Sequence, residues 1–65
     1  MDATPLTKKM VEKAKKVFGP VAETLAAEAL KRSRDEISFR KEYIEELVRI
    51  TGRRELVENI INNNK

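Results

Sequence analysis

The chain has 65 residues, 14 Lys/Arg and 11 Asp/Glu, for a net charge of +3. A single domain of about 60 residues buries only about 60% of the surface its unfolded chain exposes, so this one is expected to depend on close helix packing or on association with another copy. The sequence has no Cys and no His, which excludes disulfide staples and leaves no thiol or imidazole for zinc binding or general base catalysis; no metal and no cofactor is expected.

Asp2 and the lack of an apolar run behind it predict no signal peptide. No segment nears the roughly 20 apolar residues of a membrane span, so a cytoplasmic protein is expected. The charge is uneven. Residues 1–34 carry eight Lys/Arg against four acids, and residues 35–65 carry six against seven.

The first predicted helix covers residues 5–18. Thr4 is its expected N-cap and Pro5 its first residue, where the missing proline N–H is not needed. Leu6, Met10, Val11, Ala14, Val17 and Phe18 trace one apolar stripe. Lys8, Lys9, Lys13, Lys15 and Lys16 lie off it, as a solvated face or as a face for phosphate. Gly19-Pro20 then reads as a helix stop followed at once by a helix start. Glycine closes a helix in the left-handed conformation that other residues avoid, and proline opens the next one.

The second helix is predicted over 20–32, with Val21, Ala22, Leu25, Ala26, Ala29 and Leu30 on its stripe. Its alanines allow a neighbour to approach closely, so it is expected to be the most enclosed helix. Ser33 to Ser38 reads as a loop, with Ile37 packing as its anchor. Ser33 and Glu36 have capping-box spacing, and Ser38 is a second N-cap candidate. The third helix is predicted over 39–51, with Tyr43, Ile44, Leu47, Val48 and Thr51 on its stripe. Gly52 ends it, and Leu56, Val57, Ile60 and Ile61 mark a fourth over 53–62. The expected architecture is an all-α, compact four-helix domain spanning 1–65, with 1–4 and 62–65 as frayed ends.

Catalytic constellations are absent from this sequence. The two glycines are too far apart for a phosphate-cradling loop. Adjacent carboxylates such as Glu45-Glu46 point about 100° apart on a helix. So short a chain is also expected to lack a ligand pocket of ~300 Å³ or more. No enzyme is expected. A helix-turn-helix across Gly52 would use Arg49, Arg53 and Arg54. Against it, the fourth helix exposes Glu55 and Glu58, and local pairs Arg54–Glu58 and Arg49 with Glu45 or Glu46 are expected instead.

The stretch Phe18-Gly19-Pro20-Val21-Ala22, with Leu25 and small and basic residues on to Arg32, resembles a short helical domain at the ends of some bacterial proteins. Those include serine/threonine kinases and response-regulator-like scaffolds, particularly in cyanobacteria. That domain carries an Ile-Gly-Pro-Ile-Ala-like motif, a helix, a Leu-rich third helix and a short closing helix. The match runs over roughly residues 17–61. Gly19, Pro20 and Ala22 coincide with the motif, Phe18 and Val21 are apolar replacements, and the link before the third helix is longer here. The resemblance implies a regulatory, protein-binding role and assigns no catalytic residue.

The leading expectation is a non-enzymatic domain that binds another protein or a second copy of itself, with Ile37, Phe39 and Tyr43 at stripe edges as the contact patch. The alternative is a nucleic-acid-binding protein using Lys8, Lys9, Lys13, Lys15 and Lys16, or Arg49, Arg53 and Arg54 around Gly52.

Overall fold

Thr4 starts the fold. In the computed structural model, which describes residues 3–62, its Oγ1 accepts the Thr7 N–H at 3.2 Å while Thr7 Oγ1 accepts the Thr4 N–H at 2.8 Å. This reciprocal cap satisfies two backbone donors that a helix start leaves orphaned. It launches α1 (Pro5–Phe18), so Thr4 is tied down rather than frayed. Thr7 itself is buried.

Gly19 ends α1 with φ 79° and ψ −155°, and its N–H donates to the Lys15 carbonyl at 2.8 Å. Its φ is positive as expected, but its ψ lies outside the left-handed helical region, in territory essentially restricted to glycine. α2 (Pro20–Arg32) begins on the next residue. The stop and start at this pair therefore stand as two helices, and the predicted bounds of both match.

The third helix departs from expectation. Ser33 does not cap it. Its buried hydroxyl turns back and donates to the Ala29 carbonyl at 2.6 Å. Asp35 is the N-cap instead, accepting the Ser38 N–H at 2.8 Å, and α3 runs Glu36–Thr51. The expected loop over 33–38 shrinks to three residues, and Ile37 lies within the first turn of a helix. Gly52, φ 71° and ψ 13°, closes α3 in the left-handed conformation, and α4 covers Arg54–Asn62. Asn62 is the last helical residue, Ala3 is exposed and outside any helix, and residues 1–2 and 63–65 of the predicted frayed ends lie outside the described residues.

Each helix packs on its neighbour in sequence, and α4 closes the ring against α1. Across the ring α1 touches α3, whereas α2 and α4 share no contact among the described residues. The expectation that α2 is the most enclosed helix is therefore corrected: α1 and α3 each meet three others, α2 only two. The alanines still act as predicted, since Ala22, Ala26 and Ala29 are buried where α2 meets the core.

Phe39 and Tyr43 are also corrected. Both are fully buried, and their rings stack at 5.2 Å between centroids. They share the core with Met10, Leu47, Val57 and Ile61. The physical reason is register. Residues 39, 43 and 47 fall at i, i+4 and i+8 on one face, and that line faces the core while Ile44 and Val48 are only half-buried at its edge. The Tyr43 hydroxyl then donates to the Ala22 carbonyl at 2.8 Å, tying α3 to α2 through a bond that no local sequence pattern announces. No helix among the described residues is long and apolar enough to cross a membrane.

Candidate functional site

With Phe39 and Tyr43 in the core, Ile37 is the one residue of the expected contact patch at the surface, 78% exposed. It does not anchor a loop. Ile37, Arg40, Lys41 and Ile44 stand at i, i+3, i+4 and i+7 on α3, a spacing that makes them neighbours on one strip of helix surface. Lys41 is exposed, and Arg40 and Ile44 are half-buried. Arg40 Nε is shielded from solvent and has no hydrogen-bond partner among the described residues. Arg40 and Lys41 were not singled out by sequence reasoning. The signal was their spacing from Ile37, which becomes visible only when the helix start is known.

Three more large apolar side chains remain exposed: Val17, Ile50 and Leu56. Val17 and Leu56 belong to the predicted apolar stripes of their helices, and the core closes without them.

A second concave surface lies between α1 and α2. Thr7, Val11, Ala26 and Leu30 line an open groove of about 310 Å³, with Lys8 and Glu23 among its bordering residues. The expectation that so short a chain lacks a space of this size is therefore corrected. Small side chains on α2 leave the groove: an alanine stripe packs closely at its centre and cannot fill the flank. Among the described residues no group of three Asp/Glu gathers to hold a metal ion.

The basic residues divide. Lys15 Nζ meets Glu23 Oε1 at 2.7 Å across the α1–α2 hinge, and the hydrogen bond and charge of Glu23 raise the Lys15 pKa above its ordinary value. Arg49 lies 3.9 Å from Glu46 and Arg54 3.5 Å from Glu58, so two of the three arginines around Gly52 pair locally. Lys8, Lys9, Lys16 and Arg53 are exposed; none of them forms an ion pair among the described residues. Lys13 is half-buried. On helical spacing Lys9 and Lys16 share one side of α1, and Lys8 shares the other with Lys15. The five lysines thus do not converge on one strip.

Against protein-family models, curated proteins and solved structures, the chain finds no match. Its chemistry is read from its own residues.

Proposed function

We propose that the protein is a non-enzymatic helical interaction domain that binds another protein or a second copy of itself, in a regulatory role of the kind the hinge resemblance implies. The observation that carries this reading is Ile37. A large aliphatic side chain 78% exposed in a helix contributes nothing to a core already closed by Phe39, Tyr43 and Leu47. Covering such a side chain returns about 1.5–3 kcal/mol.

Sedimentation equilibrium from micromolar to millimolar protein tests the self-binding form; a dimer or larger species is expected. Monomer throughout that range removes self-association. A variant with Val17, Ile37, Ile50 and Leu56 all changed to Ser tests the reading as a whole. Binding by the folded variant equal to that of the parent, to itself and to any protein partner, overturns it.

A nucleic-acid reading draws on the exposed Lys8, Lys9 and Lys16. Phosphate contacts release counterions, so its signature is strong salt dependence. No binding to duplex DNA or single-stranded RNA at low salt removes it.

A further inference from the structure

We propose that the first two turns of α3 form a docking edge for an acidic, apolar segment of a partner protein: a stretch that sets a large apolar side chain on Ile37 and a carboxylate on Arg40 and Lys41. This rests on the protein-binding reading above and names the surface and the partner's chemistry.

The geometry begins with what leaves this edge open. Two contacts tie α3 to α2, and one of them, at Glu46, lies on the far side of α3 from Ile37 and Ile44. Arg32 Nη1 reaches Glu46 Oε1 at 3.0 Å, and the Tyr43 hydroxyl reaches the Ala22 carbonyl. Glu46 lies about 160° around the helix from Ile44 and about 180° from Ile37, so the α2 contact at Glu46 faces away from both. Helix α4 packs on α3 as well, but it has nine residues against sixteen. At 1.5 Å per residue it is about 13 Å long against about 24 Å. It starts beside the C-terminal end of α3, three residues after Thr51, so the N-terminal turns of α3 extend past its reach. Ile44 is accordingly packed against the core, while Ile37, two turns earlier, is bare.

The charge on this strip selects the occupant. The Arg40 guanidinium carries donors and no acceptor, and its Nε is already removed from solvent without a partner. Leaving such a donor unpaired is costly. Glu36, one turn earlier, makes no ion pair with it. Lys41 beside it is exposed and unpaired among the described residues. A carboxylate from a partner offers a counter-charge to Lys41 and to the outer guanidinium nitrogens of Arg40, which are not among the shielded atoms, and arginine gives the strongest charge-assisted bonds. A second copy docked through this strip across a two-fold axis brings the same two cations to the contact from both sides and adds no carboxylate from the strip itself. A phosphate backbone would meet the two cations but leave Ile37 against a polyanion.

An unbiased library of phage-displayed peptides, panned on the immobilised full chain, tests the proposal. Panning runs in parallel on Ile37→Ser and on the triple variant Ile37→Ser, Arg40→Gln, Lys41→Gln. The parent is expected to enrich peptides with large apolar residues flanked by Asp or Glu. Amide shifts on adding an enriched peptide should centre on residues 37–44. Ile37→Ser, whose side chain supports no core contact, should weaken that peptide about tenfold or more, the scale of a contact hot spot, with its urea midpoint unchanged. Enrichment of basic or uncharged peptides, or equal affinity for parent and Ile37→Ser, overturns the docking edge. So do shifts centred on the α1–α2 groove, although that outcome leaves the protein-binding reading standing. No enrichment on any chain overturns both. Shifts at residues 37–44 produced by single-stranded DNA, or by raising protein concentration without peptide, assign the edge to phosphate or to self-contact and also overturn it.

Discussion

Tyr43→Phe separates one buried hydrogen bond from everything else in the core. The ring stays, stacked on Phe39, and only the hydroxyl that donates to Ala22 at 2.8 Å is lost. A carbonyl has two lone pairs, so Ala22 keeps an acceptor site for its helical partner and the loss is a net hydrogen bond, about 1 kcal/mol. A chain of this size has only about 3–5 kcal/mol of stability from its core, so the change removes roughly a quarter. With a urea slope of about 1 kcal/mol per molar, the midpoint should drop by about 1 M. The prediction has a second limb. Burial, and to a lesser degree the Glu23 carboxylate, hold the phenol pKa above its ordinary value. The unfolded chain releases this proton near pH 10 and the folded chain does not, so the stability is intact below that pH and is lost as pH rises past it. At pH 11 the loss is on the order of 1 kcal/mol. Tyr43→Phe has no such loss, so the gap between parent and variant should close to near zero between pH 7 and 11. Urea melts followed by circular dichroism at both pH values measure the gap, with lysine titration common to both chains. Tyr43 is the sole tyrosine, so ultraviolet absorbance reads its ionisation directly. An equal gap at both pH values, or phenol ionisation near pH 10 in the folded chain, refutes the reasoning.

Gly19→Ala should cost about 1–3 kcal/mol, because φ 79° with ψ −155° is strained for any side chain; Gly52→Ala, in the left-handed region, should cost about 1 kcal/mol. A Cβ meets nothing within 4 Å at either site, so both effects are conformational, and urea midpoints showing Gly19→Ala neutral or stabilising would count against two separate helices. Phe39→Ala should cost about 3–5 kcal/mol, enough to unfold the chain, and retention of native helical circular dichroism contradicts its place in the core. The Asp35 pKa is lowered, chiefly by the Ser38 N–H, so its contribution is present above its unfolded value of about 3.9 and is lost as pH falls through the lower folded value. Asp35→Asn keeps a capping side chain without that titration, and its urea midpoint should fall less steeply in acid than the parent's.

What the sequence made legible was local. Thr4, Pro5, Gly19 and Pro20 each act through bonds or backbone angles within a few residues, and α1 and α2 have the bounds those residues predict. Ser33 shows where local reading fails. A serine between two helices can cap forward or bond back to the preceding turn, and both look alike in sequence. Here it bonds back to Ala29, Asp35 takes the cap, and the register of α3 follows from that choice. Ile37, Phe39 and Tyr43 were grouped as one patch because their register was set from Tyr43 and Ile44. The core instead faces the line of Phe39, Tyr43 and Leu47, and the start at Glu36 carries Ile37 into the helix on a side away from that line. The partner of the Tyr43 hydroxyl lies 21 residues away, beyond any periodic pattern. The same register brings Arg40 beside Ile37, so the candidate edge was hidden by the same ambiguity as the helix start.

The position of the two phenylalanines and the tyrosine bears on how such a small chain can bind anything. Aromatic side chains dominate contact energetics when they lie on a surface. In this chain Phe39 and Tyr43 are buried and Phe18 is half-buried against the core. Alanines on α2 let the rings approach closely, and the Ala22 carbonyl holds one of them by its hydroxyl. That use of its largest rings stabilises a fold without disulfides, and it leaves aliphatic side chains and charges for the surface. A contact built from Ile37, Arg40 and Lys41 is correspondingly small. It gains specificity from charge rather than from area, because a partner without a carboxylate offers Arg40 and Lys41 no counter-charge. Binding through it should therefore discriminate more sharply by the partner's charge than by its apolar shape.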